Sequence, residues 1–481
     1  MIRSDRTTAA TFAALCAFAL AGTDVAHAAR VHVIKQVTNL TQGNLWQPNI
    51  RQGNGEFLSF VSDGDVLGPG TAHLGRREIY LWSLEDDGIV RLTDSAPGES
   101  YDSSRMSDDF RSKRSPMVAF VSTGDLDPSV GNADGNPEIF VWLRAGGIIK
   151  QMTNTVAPVV NAQPFPSDSG DCLVFQSTGD IDDNPGSFNS APTYFTNEDG
   201  SPEVFFIDFH DNEFLEWHTT QISDGPPGTT SGFGSAGGYF FPNQCANITY
   251  QSDFDQLGNG SDGTNVYDHR KASATRDQPS EPGNVGGLSI EPRMSGTGVS
   301  SGGPSVAFAS NVDLKGKGTT GFQIFKYPIL TGVLRQLTGD PNGGHRNPKV
   351  SDGSAVVIFE TTGEPIDSSK PSKRGPDGPH NADGNSEIYR FVGKNVVRPI
   401  TRTTGCTNDH SSIMGNGRGI GFRSDCDLIS GHNPLGRQQA FVYYEVHRGE
   451  PLSTAAECSI AAACCSTANG CYEEIVGRNY R

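Results

Sequence analysis

The stretch Ala119-Phe120-Val121-Ser122-Thr123-Gly124-Asp125 decides the fold, because its pattern recurs along the whole chain. A short apolar strand ends in an aromatic residue, Ser or Thr stands two residues on, and an acid stands three further along. Seven copies obey this rule: Phe60/Ser62/Asp65, Phe120/Ser122/Asp125, Phe175/Ser177/Asp180, Tyr250/Ser252/Asp255, Phe308/Ser310/Asp313, Phe359/Thr361/Glu364 and Phe422/Ser424/Asp427. The aromatics are spaced at roughly 50 to 75 residues, a loose period that suits a four-stranded unit with elastic loops.

Working outward from each copy, a further strand opens on a polar side chain, as in Glu78-Ile79-Tyr80, Glu138-Ile139-Phe140, Gln323-Ile324-Phe325 and Glu387-Ile388-Tyr389. Most units then close on Thr or Ser, as in Arg91-Leu92-Thr93, Gln151-Met152-Thr153 and Gln336-Leu337-Thr338. A short extended piece precedes each aromatic strand, for example Gln47-Pro48-Asn49-Ile50. One small sheet cannot bury both of its faces, so such units must stack on one another, and a radial ring meets that demand. The pattern predicts an all-β, seven-bladed β-propeller of four-stranded antiparallel blades, with a short Cys-rich C-terminal tail. The recurring Ser, Thr and Asp are expected to hydrogen-bond backbone groups at turns. In the fourth unit no closing strand is evident between His269 and Pro292. Val31-His32-Val33-Ile34-Lys35-Gln36-Val37-Thr38 reads as a closing strand with no unit before it, and is expected to latch the ring by completing the last unit.

At the N-terminus, Arg3 and Arg6 precede an apolar run from Thr11 to Gly22, and Ala26-His27-Ala28 supplies a small-residue cleavage site. Residues 1–28 therefore read as a signal peptide, 29–450 as the propeller and 451–481 as the tail, which places the protein in the periplasm or outside the cell. The charge of −18 disfavours nucleic acid and anionic membranes as partners.

Of nine cysteines, Cys16 falls in the signal segment. The other eight form an even set in an exported chain, so disulfides are expected. Cys458, Cys464, Cys465 and Cys471 lie close enough to pair among themselves, while Cys406 with Cys426 and Cys172 with Cys245 are the other expected pairs.

Three loops, Asn132-Ala133-Asp134-Gly135-Asn136, Asn197-Glu198-Asp199-Gly200-Ser201 and Asn381-Ala382-Asp383-Gly384-Asn385, place oxygen ligands at alternate positions around a glycine. Asp134, Asn136, Asp199, Asp383 and Asn385 are thus candidate Ca²⁺ ligands. The same residues also make ordinary Asx turns, and the full spacing of an EF-hand is absent.

Asn347-Pro348-Lys349-Val350-Ser351-Asp352-Gly353, followed by a β-strand, a Glu-Ile-Tyr strand and a Gln-Leu-Thr-like closing strand, resembles the TolB-type, WD40-like propeller repeat up to about Glu450. The resemblance implies a fold more than an activity, since such propellers serve as binding scaffolds, gating domains and, rarely, enzymes. The repeats begin close to the cleavage site, whereas TolB carries an α/β domain first, so a TolB role is not implied. No G-x-S-x-G nucleophile elbow follows the last repeat, which separates the chain from propeller-bearing hydrolases.

The propeller also resembles that of the oligogalacturonate lyases, which use a histidine-rich metal centre at the axis. Here only His345 and His410 fall at the starts of innermost strands; Asn44 or Trp46, Tyr101, Asn161 and Ile290 stand in the corresponding places. The favoured expectation is a non-catalytic scaffold that binds a protein or peptide partner through its inter-blade loops or channel mouth. The alternatives are a surface carbohydrate- or cation-binding accessory propeller and a metal-dependent carbohydrate-active enzyme.

Overall fold

A computed structural model describes residues 30–447 and 471–474, apart from 51–56, 85, 95, 97–98, 100, 108–116, 145, 168–169, 182–195, 210–216, 238–245, 271–274, 282–285, 297–303, 341–342, 366–380 and 393–395. The expected signal segment and Cys245, Cys458, Cys464 and Cys465 lie outside the described residues. Every element among the described residues is a strand.

The repeats form because alternate residues of each strand bury on both sides. In every repeat the signature aromatic sits directly opposite the aromatic of the following strand, and the two rings stack. Phe60 on Tyr80, Phe120 on Phe140 and Phe359 on Tyr389 have centroids 5.5, 5.8 and 6.1 Å apart. Such pairs add about 0.5–1.5 kcal/mol beyond the area they bury. The buried clusters lie between successive repeats: Phe57, Val61 and Leu81 meet Tyr101, Val118 and Phe120, for example. Another cluster joins Leu45, Tyr80 and Trp82 of the first repeat to Ala440, Val442 and Tyr444 of the last, so the arrangement closes into a propeller.

Polar residues of the repeat fix the strand ends. The Ser or Thr after each aromatic accepts a hydrogen bond from the backbone N–H two residues on, at 2.8–3.1 Å in all seven copies. The closing Thr or Ser accepts from the N–H of the residue after the polar opener, again at 2.8–3.1 Å in every repeat. Its hydroxyl in turn donates to the opener, as from Thr93 to Glu78 at 2.7 Å and from Thr338 to Gln323 at 2.9 Å. Two sequence signals far apart in the chain are thereby one lock. In the last repeat the lock is made by Thr38 with Gln439 at 2.8 Å, and Arg30–Gln36 pairs antiparallel with Gln439–His447. The N-terminal strand thus closes the sheet built from the chain's far end.

The expectation of seven separate four-stranded blades is not met. Hydrogen bonding among the described residues gives six sheets: four of four strands, one of five and one of eight. The eight-stranded sheet joins the fourth and fifth repeats through a short parallel pairing of Gly263 and Thr264 with Gly287 and Leu288. The cause is local. Thr275–Asp277, which stands where the fourth repeat should close, pairs only with Asp268–Arg270 and leaves the start of Gly263–Arg270 as an open edge. Gly263 then takes φ +75° and comes so near Gly287 that an added Cβ would lie 2.2 Å from the Gly287 carbonyl oxygen. Only glycine allows that approach. The five-stranded sheet gains Cys471–Glu474 from the tail as an outer strand on Arg30–Gln36.

Candidate functional site

The residues nominated from the sequence serve the scaffold in this structure. Asp134 Oδ2 accepts from Ala157 N at 2.7 Å, Asp199 Oδ1 from Ser201 N at 2.8 Å and Asp383 Oδ2 from Gly405 N at 3.0 Å. Asn136 Nδ2 donates to Glu138 Oε1 and Thr155 Oγ1 at 3.0 and 2.8 Å, and Asn385 Nδ2 donates to Glu387 Oε1 and Thr403 Oγ1 at 3.0 and 2.9 Å. These loops are braced as turns, although Asn136 Oδ1 and Asn385 Oδ1 remain without a hydrogen-bond partner. Cys406 and Cys426 form a disulfide with a Cα separation of 5.4 Å. Cys172 is also disulfide-bonded, its partner lying outside the described residues. Cys471 stands in the outer strand of the tail.

His345 is fully buried, with Nδ1 2.7 Å from Thr361 Oγ1, and burial depresses its pKa to about 3. It is a neutral core residue. His410, by contrast, is partly exposed beside Asp409 at 3.1 Å. Among the described residues neither histidine belongs to a group of three side chains close enough to share a metal ion. A cluster of His73, Glu78 and Asp94 has the spacing of a metal site. Arg91 already occupies it, 2.7 Å from His73 Nε2 and 3.0 Å from Asp94 Oδ1.

A different set of residues gathers around the axis. The innermost strands are Leu45–Ile50, Tyr101–Met106, Asn161–Pro166, Ser231–Gly237, Gly287–Met294, His345–Val350 and Asn408–Ile413. They touch one another in chain order, and the first also touches the last. Each carries the same bulge against its neighbour, for instance between Trp46 and Asn49, Ile290 and Arg293, and Arg346 and Lys349. At the bulge a non-glycine residue takes φ of +49° to +60°: Gln47, Ser103, Gln163, Phe233, Glu291, Asn347 and His410. Proline follows four of these residues, as Pro48, Pro164, Pro292 and Pro348. It fits because the bulge removes the ladder bond its nitrogen cannot make. Bulges re-aim side chains, and here the re-aimed residue lies two positions after the strained one.

In three repeats that residue is a short polar tie to the next strand. Asn49 Oδ1 accepts from Met106 N at 2.8 Å, Ser235 Oγ from Met294 N at 3.2 Å and Ser412 Oγ from Ile50 N at 2.9 Å. The other four repeats place Arg105, Phe165, Arg293 and Lys349 there. The Arg293 guanidinium lies over the Phe165 ring at 5.0 Å and donates through Nη1 to Pro292 O at 2.9 Å. Its Nε is buried without a partner. Among the described residues Arg105 makes no hydrogen bond through its side chain.

Burial, with the charge of Arg105 adding to it and Glu291 opposing both, depresses the pKa of Arg293 to about 9. Burial likewise pulls down Lys349, with the charges of Arg293 and Arg105 adding to the effect. Arg105 and Arg293 belong to the second and fifth repeats, which are not neighbours, so their fields meet across the axis. Burial raises the Glu291 carboxyl, but hydrogen bonds and charge from Arg346, 2.7 Å away, outweigh it and leave a lowered pKa. Glu360, raised by burial, faces Lys349 and accepts from Asn347 Nδ2 at 2.6 Å and Ser411 N at 2.7 Å. The axis of a chain with net charge −18 thus holds a concentration of cations. Reading the repeats one at a time misses this cluster. The available signal was the change from Asn49 to Arg293 and Lys349 in otherwise matching Pro-containing strands.

No family model and no curated protein matches this sequence. Among solved structures, an oligogalacturonate lyase from Vibrio parahaemolyticus aligns with 14% identity and a TM-score of 0.50, covering 85% of this chain and 93% of that one. At that identity the likeness speaks for the propeller fold alone. A Pyrococcus horikoshii acylaminoacyl peptidase aligns at 12% identity with a TM-score of 0.47, over 86% of this chain and 54% of its own. TolB from Acinetobacter baumannii aligns at 10% identity with a TM-score of 0.34, over 72% of this chain and 80% of its own.

Proposed function

We propose that the chain is an exported, non-catalytic β-propeller that binds a protein or peptide partner through the loops and channel mouth at one end of the ring. One observation carries this reading. In an antiparallel meander, the loop between the second and third strands and the link to the next repeat leave from the same end of the sheet. That end exposes Leu67, Leu74, Val130, Val156 and Leu435 at 48%, 61%, 40%, 73% and 65%. Large apolar side chains left in water on rigid loops around a channel are the usual material of a recognition surface. Among the described residues the opposite end shows fewer of them, notably Leu330 and Val333. Export follows from the N-terminal segment, and no helix among the described residues is long and apolar enough to cross a membrane.

The test pairs binding with turnover. Wild-type protein and a Leu74→Asp/Leu435→Asp variant are incubated with peptides, pectin fragments and esters. Saturable peptide binding that the variant weakens, with every compound recovered unchanged, is the expected result. Turnover of any of them overturns the reading.

A further inference from the structure

We infer that the axial channel is a carboxylate-binding site, formed by Arg105 and Arg293 with Lys349 beside them, and that it takes the free C-terminal carboxylate of a peptide ending in an apolar residue. The inference rests on the binding reading above and names the chemistry of its ligand.

Four observations support it. First, the repeat supplies a structural solution at this position, the short polar tie of Asn49, Ser235 and Ser412, and the chain abandons it where the cations stand. Among the described residues the side chains of Arg105 and Lys349 make no hydrogen bond to a neighbouring repeat, and Arg293 keeps one long link, Nη1 donating to Phe233 O of the preceding repeat at 3.3 Å, so these cations serve the ring less than the ties they replace. Second, Arg293 is more than nine-tenths buried, yet its Nε has no partner, so a donor is held ready inside the protein. A buried donor without an acceptor is destabilising, the more so when charged, and an incoming anion removes that cost. Third, the local charges do not cancel. Arg346 is matched by Glu291, Arg77 holds Asp102 and Glu360 stands against Lys349, so among the described residues Arg105 and Arg293 have no carboxylate in ion-pair contact and feel Asp102 and Glu291 only through space. Two planar guanidinium forks match the two oxygens of a carboxylate, and the nearby Glu291 and Glu360 weigh against the second charge of a phosphate dianion. Fourth, an apolar platform adjoins the cations. Phe165 lies under Arg293, and Phe233, on the next innermost strand, is 39% exposed. A peptide end has this pairing of a carboxylate with an apolar side chain, and its capture by convergent donors is a known recognition mode.

The protein's negative charge further selects for such a ligand. A polyacidic chain is repelled at long range, whereas a single terminal carboxylate is repelled little and meets the cations once inside the channel.

The experiment is calorimetric titration of the full protein with three probes: acetyl-Ala-Ala-Phe as the free acid, the same peptide as its C-terminal amide, and succinate. Arg105→Gln, Arg293→Gln and, as an outer-strand control, Arg335→Gln are compared with wild type, and thermal melting checks each fold. Among the described residues the Arg105 side chain makes no hydrogen bond, and burial disfavours its charge more than Asp102 supports it, so Arg105→Gln should fold at least as stably as wild type. That variant keeps the test open even if Arg293→Gln fails to fold. The free acid should bind saturably, the amide at least tenfold more weakly, and Arg105→Gln should lose at least tenfold while the control is unchanged. Succinate that competes with the peptide in an Arg105-dependent way also supports a carboxylate site, with relative affinity showing whether a peptide end or a small acid is its source. Equal binding of acid and amide, indifference to Arg105→Gln, or tighter binding of inorganic phosphate than of either carboxylate overturns the inference. Retained peptide binding at the loops with no preference for the acid removes the carboxylate site and leaves the binding reading. Cleavage of the peptide removes the binding reading and leaves the site.

Discussion

Replacing Glu138 tests the lock that joins each closing strand to its sheet. Glu138 is fully buried and accepts five hydrogen bonds. They come from Asn136 Nδ2 (3.0 Å), Thr155 N (2.6 Å), Thr155 Oγ1 (2.7 Å), Asn161 Nδ2 (3.0 Å) and the Thr153 hydroxyl. Glu138→Ala leaves these donors facing one another, and the backbone N–H of Thr155 cannot turn away. Stranding one buried donor costs about 1–3 kcal/mol, and breaking a buried charged centre about 3–5, so a loss of about 4 kcal/mol is expected. Glu138→Gln should cost about 2 kcal/mol, because its amide turns a donor toward donors already present. Gln323 shows why glutamine works elsewhere: its Nε2 faces an acceptor, Asp340 O, at 2.7 Å. If the ring melts as one unit, the entropy of so long a chain, about 2.1 cal/mol/K per residue, converts 4 kcal/mol into a fall of only about 4–5 °C. If the second repeat melts alone, the fall is tens of degrees. Calorimetry on both variants reads the result. Equal effects of Ala and Gln, or a change below about 0.5 kcal/mol for Ala, the range of ordinary surface substitutions, refute the lock.

Other consequences follow from single groups. His345 has a folded pKa of about 3 against an ordinary 6.5, so the unfolded chain binds the extra proton. Its contribution is present above pH 6.5 and lost as pH falls toward 3, by about 3 kcal/mol near pH 4.5. His345→Asn, which copies Asn161 and Asn408, should flatten urea-derived stability between pH 7 and 4.5 relative to wild type; parallel curves exclude the effect. Glu203, raised to about 7 by burial, acts in the opposite direction, its contribution being lost as pH rises from 4.5 through 7, so the comparison is made between variants and not from one curve. Replacing Cys406 and Cys426 together by Ala opens a link across 20 residues and should cost about 3 kcal/mol by denaturant unfolding; no change means the strand pair is held otherwise. Since Asp134, Asp199 and Asp383 brace turns, EDTA and added Ca²⁺ should leave the melting temperature within about 1 °C, a shift too small to represent stabilisation by a bound ligand on a ring of this size. A larger rise with Ca²⁺ would assign these loops to the ion.

The scaffold was legible because its signals repeat. The stacked aromatics and the serine turns occur in every unit, and periodicity exposes what one copy would hide. The number of separate sheets was not legible. It depends on how far Thr275–Asp277 extends along Gly263–Arg270 and on the approach of Gly263 to Gly287, which no local pattern reports. The loops around Asp134, Asp199 and Asp383 drew attention because their composition suits both calcium and turns, and only the hydrogen bonds show how the oxygens are used here. Arg105, Arg293 and Lys349 escaped notice for another reason. Each is an ordinary cation in its own strand, and their convergence exists only once the first and last innermost strands meet.

On the proposed function, a peptide partner engages the loop-bearing end and its channel without being consumed. Benzoylphenylalanine placed at Phe233, at Leu74 or at Leu330 allows photocross-linking to bound acetyl-Ala-Ala-Phe, with mass spectrometry of the products. Cross-links to intact peptide are expected from positions 233 and 74, and none from position 330 at the opposite end. Cross-links from position 330 alone, or recovery of cleaved peptide, would contradict the proposed function.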